Sequence, residues 1–175
     1  PTVSGLEPLV GPMSGGTVVR ILGEGFTSSV SLFCRFGDGE SVVKAVFKGE
    51  DNVQCVAPTG NAVGSVDVFI GAAGGPWFPV ALFKYTLVPS ATSVRPVLLA
   101  VSGGTPVLIQ GSGFDPAAVV ACRFGETVVF ALAGSVTATS AVCVSPPHDS
   151  GAVEFAMSNN AGTDFSLASV PLKMH

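Results

Sequence analysis

The residues with reactive chemistry to offer in this 175-residue chain are four cysteines, two histidines and a scatter of carboxylates. The cysteines fall as Cys34 and Cys55, then Cys122 and Cys143, each pair in a Cys-x20-Cys spacing. That spacing serves a disulfide; a zinc site would call for close Cys-x2-Cys pairs or added histidines, and the only histidines are His148 and His175. His148-Asp149-Ser150 holds the three side-chain types of a nucleophilic triad, but a triad needs them to converge from separate elements beside an oxyanion hole, which a tripeptide in a turn does not supply. Gly23-Glu24-Gly25 has the glycines of a phosphate-cradling loop without a following helix or lysine. Asp38-Gly39-Glu40 could offer calcium oxygens, yet between two strands it reads as a hairpin turn. The expectation is a protein with no catalytic residues, no metal site and no cofactor.

The elements that carry these residues are duplicated. Displaced by 88 residues, Ser14-Gly15-Gly16-Thr17 falls on Ser102-Gly103-Gly104-Thr105, and Gly23-Glu24-Gly25-Phe26 on Gly111-Ser112-Gly113-Phe114. Cys34-Arg35-Phe36-Gly37 meets Cys122-Arg123-Phe124-Gly125, and Cys55-Val56-Ala57-Pro58 meets Cys143-Val144-Ser145-Pro146. One residue is lost near Gly151, and the match continues at an offset of 87, with Val66-Asp67-Val68 on Val153-Glu154-Phe155 and Phe78 on Phe165. Units of this length are small domains rather than solenoid turns, so the expected boundaries are 1–88 and 89–175. The duplication also decides among the cysteine pairings, because each copy holds one pair: Cys34 with Cys55, Cys122 with Cys143. Those bonds place the chain in an oxidising compartment.

Within each copy the pattern is of short strands between Gly, Pro, Ser and Asp clusters, with no helical segment. In the first copy the strands are expected at Thr17–Leu22, Ser31–Phe36, Ser41–Phe47, Asn52–Val56, Ser65–Ile70 and Val80–Tyr85, with Val43, Ala45 and Phe47 facing inward and Lys44 and Lys48 outward. Gly15-Gly16 and Gly103-Gly104 mark turns that require positive φ, and Gly25 and Gly113 each precede a phenylalanine able to plug a core. This is an all-β reading: two tandem antiparallel sandwiches.

These residues resemble the IPT/TIG domains, immunoglobulin-like modules of plexins, growth-factor receptors and some transcription factors. The resemblance is carried by the opening Pro-x-Val and Pro8, Gly-Pro-x-Ser-Gly-Gly-Thr at 11–17, Gly-x-Gly-Phe at 23–26, Cys-x-Phe-Gly at 34–37, Cys-x-x-Pro at 55–58 and Phe83-Lys84-Tyr85. The second copy departs at Leu99-Ala100 and at its end, where Val170-Pro171-Leu172 stands for Phe-Lys-Tyr and Pro171 belongs on an edge. Membership implies an early-set immunoglobulin-like sandwich, the cysteine pairing above, and binding or scaffolding work outside cells.

Charge sets the remaining expectations. The net charge of −4 is the wrong sign for neutralising phosphates, so nucleic acid is not expected as a partner, and apolar runs are too interrupted for membrane insertion. Only 11% of residues are charged, well below the usual quarter. Between Ala117 and Ala161 the charges are Arg123, Glu126, Asp149 and Glu154, so the outward strand faces of the second copy must be Ala, Val, Ser and Thr, a sticky surface unless covered. Copies of the chain are one cover. Tyr85 to Pro89 joins the repeats with no Gly/Ser linker, which predicts a stiff rod, and His175 falls one step short of a third repeat, so that its end could meet the start of another copy. O-linked sugar is the other cover, with Ser90, Thr92 and Ser145 in Pro-flanked stretches; no Asn-x-Ser/Thr sequon occurs. The loop Gly71 to Pro79 is a contact candidate through Pro76, Trp77 and Phe78, although Trp77 folding back on its own sandwich is favoured over an interface role.

The expected function is thus a non-catalytic extracellular or cell-surface structural protein, assembling head to tail into a filament. The alternative is a receptor or adhesion ectodomain fragment that binds another extracellular protein. A carbohydrate-binding module fits less well, since one Trp and one Tyr give few exposed aromatics.

Overall fold

The computed structural model describes residues 1–39, 41–166 and 170–175. The chain divides into two compact units, Pro1–Thr86 and Leu87–His175. Repeat one contains β1 (Thr2–Glu7), β2 (Val10–Pro12), β3 (Val18–Glu24), β4 (Leu32–Phe36), β5 (Val42–Lys44), β6 (Val46–Gly49), β7 (Asn52–Val56), β8 (Gly64–Ala72) and β9 (Trp77–Thr86). Repeat two contains β10 (Ser90–Arg95), β11 (Leu98–Leu99), β12 (Pro106–Ser112), β13 (Ala121–Phe124), β14 (Thr127–Phe130), β15 (Ser140–Val144), β16 (Gly151–Ser158) and β17 (Val170–Met174). Both are all-β sandwiches. In repeat one a sheet ordered β1-β3-β7-β6 faces one ordered β2-β9-β8-β4-β5; in repeat two β10-β12-β15 faces β11-β17-β16-β13-β14.

Each repeat opens with a strand that changes sheets. β1 pairs antiparallel with β3, and after Pro8 the chain continues as β2, parallel to β9. β10, Pro96 and β11 repeat the move, with β11 parallel to β17. A proline has no N–H to give a ladder, so a strand that meets one is released to find a partner in the other sheet.

A second sheet change corrects the expected strand at Ser41–Phe47. β5 pairs with β4 and β6 with β7, and the crossover falls at Ala45. Ala45 is buried, and Phe47 lies opposite the buried Val53 and so on the inner face as expected, but on the edge strand β6 it remains 38% exposed. The Gly71–Pro79 loop is likewise shorter than expected: β8 runs to Ala72 and β9 begins at Trp77, leaving Ala73 to Pro76 as the turn.

The two cores are built alike. Val19, Ile21, Val53 and Phe83 fill repeat one, Val107, Ile109, Phe155 and Leu172 repeat two, and Phe26 and Phe114 plug the corresponding ends. Cys34 of β4 is bonded to Cys55 of β7, Cα atoms 6.4 Å apart, and Cys122 of β13 to Cys143 of β15, 6.5 Å apart. Each bond ties one sheet to the other across the core. Gly15 and Gly103, at φ +72° and +73°, press against the opposite chain; a Cβ would lie 2.7 Å from the Pro58 carbonyl carbon in the first and 2.6 Å from that of Pro146 in the second.

The last strand of repeat two settles the correspondence at the chain's end. Val66 pairs with Phe83 and Val153 with Leu172, so the counterpart of Phe83-Lys84-Tyr85 is Leu172-Lys173-Met174, not Val170-Pro171-Leu172. Lys173 N–H donates to Val97 O at 2.9 Å. Pro171, two residues earlier on the same side of β17, lies past the end of the two-residue β11, so its missing donor removes no ladder bond.

Candidate interaction surface

The outer face of the five-stranded sheet in repeat one carries Arg35. Its neighbours across the ladder decide its surroundings: Arg35 lies opposite Phe69, and Trp77 opposite Gly71, one step further along β8. The guanidinium carbon sits 4.4 Å from the Phe69 ring centroid and 5.0 Å from that of Trp77. Arg35 Nε is buried without a hydrogen-bond acceptor, so the stacking must offset that loss; such cation–π contacts contribute roughly 0.5–2 kcal/mol. Trp77 therefore folds back on its own sandwich and is half-buried, while Pro76 and Phe78 are exposed, Phe78 at 55%.

Repeat two builds the same contact by other means. Arg123 stands where Arg35 does, its Nε also buried and unpaired, and the Phe165 ring lies 4.7 Å from its guanidinium carbon. Phe165 arrives on the segment after β16, which turns back over the sheet. Ser158 Oγ accepts from the N–H groups of Asn160 and Gly162, Asn160 Oδ1 accepts from Asp164 N–H, and Ser166 N–H donates to Met157 O. Under this segment the outward-facing Ala121, Ala156 and Ser158 are 0%, 2% and 0% exposed. The uncharged strand face expected to be open is, over these residues, covered by the chain itself.

β5 in repeat one and β14 in repeat two each end a five-stranded sheet, with no strand among the described residues paired on the outer side. Val42 is 44% exposed at the first, and Val128 and Phe130 are 42% and 59% exposed at the second. Beside each edge runs a shallow groove at equivalent positions. That of repeat one is lined by Val30, Lys44 and Phe47 among others, that of repeat two by Val119, Leu132 and Val136.

The remaining candidates are not brought together. His148 Nδ1 lies 2.9 Å from the Asp149 backbone oxygen, not from its carboxylate, and Asp149 and Ser150 are exposed in a turn. Among the described residues no group of three or more His, Cys, Asp or Glu could hold a metal. Asp38 and Gly39 form a turn, and Glu40 lies outside the described residues. Ser145 is corrected as a sugar acceptor: it is 2% exposed, and its Oγ accepts the Thr105 N–H at 3.1 Å. Ser90 and Thr92 are exposed, with Thr92 Oγ1 donating to Gln110 O at 3.2 Å. No helix among the described residues is long and apolar enough to cross a membrane.

Sequence reasoning passed over the two arginines, although the repeated Cys-Arg-Phe-Gly held the signal: an arginine between two core residues of one strand must point outward and find an aromatic or an acid.

The family model for the IPT/TIG domain matches residues 1–85 and again 89–173. The chain belongs to the IPT/TIG family. Its two IPT/TIG sandwiches are similar to part of the plexin A4 extracellular region, at 20% identity and a TM-score of 0.58, over 99% of this chain and 16% of that one. The match to that ectodomain is thus to a small part of it, and the likeness is one of fold. More distant are the Escherichia coli adhesin FdeC, at 13% identity and a TM-score of 0.42 over 100% of this chain and 66% of that one, and the Bacteroides ovatus mixed-linkage glucan protein SGBP-B, at 14% and 0.39 over 96% and 43%. No curated protein matches the chain.

Proposed function

We propose that this tandem IPT/TIG chain is a non-catalytic extracellular structural protein, a two-sandwich unit that assembles with its own copies head to tail into a filament. The carrying observation is where the exposed apolar side chains sit. Among them are Val42 on the sheet-edge strand β5 and Val128 and Phe130 on the sheet-edge strand β14, apolar side chains beside outward-facing backbone groups, an arrangement suited to contact with another polypeptide. The sheet-to-sheet disulfides support an oxidising, extracellular location. O-linked sugar at Ser90 and Thr92 belongs to the same reading, and an intact-mass measurement of native protein tests it.

Electron microscopy of the protein from its native source tests assembly directly. Filaments with an axial repeat of two sandwiches are expected. Isolated particles at every concentration would overturn self-assembly and leave a heterologous extracellular protein as the partner.

A further inference from the structure

We propose that the free edge of β5 pairs antiparallel with the free edge of β14 in a second copy, fusing two five-stranded sheets into one. This rests on the self-assembly reading and names its contact.

The backbone groups are available on both sides. Phe36 N–H donates to Ser41 O and Ala45 N–H to Leu32 O, so the β4 ladder uses Ser41, Val43 and Ala45. The N–H and C=O of Val42 and Lys44 then face away from the sheet. In repeat two Ala131 N–H donates to Val120 O, the ladder uses Thr127, Val129 and Ala131, and the groups of Val128 and Phe130 face away. The other edge of repeat two, β15, is closed by its own chain: Leu132 N–H donates to Val142 O at 2.8 Å, and Val142 N–H to Ser135 Oγ at 3.1 Å.

Side chains choose the register. Val42 and Lys44 lie on the outer face of repeat one and Val128 on the outer face of repeat two, with Glu126 in the β13–β14 turn just ahead of β14. With Val42 opposite Val128, outer faces coincide, that pair is a hydrogen-bonded one, and Lys44 is brought to Glu126 at the turn. Neither Lys44 nor Glu126 has a charged partner among the described residues. Like edges match less well. Two β5 strands set Lys44 against Lys44 or Val42, and two β14 strands centred on Val128 set Glu126 against Phe130. The unlike pairing leaves a free β5 on one copy and a free β14 on the other, so it propagates as a heterologous contact. Both edges are short, which makes each joint weak and assembly dependent on concentration.

Charge exchange tests the contact. Wild type, Lys44→Glu, Glu126→Lys and the double variant are compared by sedimentation velocity over a concentration series and by negative-stain microscopy, with thermal melts confirming that each is folded. Each single reversal is expected to weaken association roughly tenfold or more, and the double variant to recover it. Val128→Pro, which removes an outward N–H and no internal donor, is expected to abolish assembly. Singles that assemble like wild type, or a double that does not recover, would overturn this contact while leaving self-assembly standing. A wild-type protein that stays monomeric throughout would overturn both.

Discussion

The Tyr85 hydroxyl donates a 2.8 Å hydrogen bond to the Pro58 carbonyl, closing the end of repeat one, and the ring lies against Gly60. Tyr85 is 3% exposed, and burial pushes its phenol above the ordinary value near 10. A folded-state value above the unfolded one means that the native state holds the proton more tightly. The stability involved is complete below about pH 10 and is lost as pH rises through the folded value. Denaturant midpoints should therefore fall above pH 10, and Tyr85→Phe should flatten that fall while lowering stability at pH 7 by about 1–2 kcal/mol through the orphaned carbonyl. As the chain has one tyrosine, phenolate absorbance reports this group alone.

Gly60 admits nothing larger. A Cβ there would lie 2.8 Å from the buried Tyr85 ring, so Gly60→Ala should destabilise repeat one by about 1–3 kcal/mol in chemical denaturation. Repeat two has His148 at the equivalent place, its N–H donating to Val101 O as that of Gly60 does to Met13 O, and Met174 in place of the tyrosine. His148→Ala should change stability by less than about 1 kcal/mol.

Loss of the Trp77 ring removes half-buried apolar area and one side of the Arg35 stack. Trp77→Ala should lower the stability of repeat one by about 1–2 kcal/mol. Arg35→Ala should shift the emission of the chain's single tryptophan, whereas Arg123→Ala should not. An unmoved spectrum in the Arg35 variant would refute the stack.

Each disulfide can be removed separately. Replacing Cys34 and Cys55, or Cys122 and Cys143, by alanine should reduce the stability of the affected repeat by about 3 kcal/mol, measured by denaturant unfolding.

Ala161 holds φ at +56° in the turn after β16, a conformation that disfavours any side chain by about 1 kcal/mol or more. Ala161→Gly relieves that strain and adds some freedom to the unfolded chain. A net gain of up to about 1 kcal/mol in repeat two is expected from thermal melts.

The parts of this molecule legible in the sequence are those fixed by local chemistry and by the duplication. Glycines at Gly15 and Gly103, the plugs Phe26 and Phe114, and two sandwiches of short strands all follow from residue type and spacing. Less legible were features set by what a strand meets in three dimensions. Phe47 shares the inner face with Val43 and Ala45 as their alternation implies, but the chain changes sheets at Ala45 and leaves Phe47 on an edge strand, partly exposed, and periodicity has no mark for a change of partner. Ser145 looked exposed beside Pro146 and Pro147; its role in satisfying Thr105 N–H appears only once the strands are paired. The edges β5 and β14 could not be told from interior strands by composition, because an edge is a property of the sheet order and not of the residues that form it.

The hairpin between the last two strands has a consequence for how such modules diversify. In repeat one a tight turn at Ala73 to Pro76 leaves the adjoining face to its own aromatics, whereas in repeat two a longer excursion returns over that face and seals it with Phe165. The strand register on either side is unchanged, with Val66 against Phe83 and Val153 against Leu172. Insertion and deletion at this single position can thus cover or uncover that sheet face without renegotiating the core. Tandem copies that begin identical can then come to present different surfaces while keeping the same strand pairing.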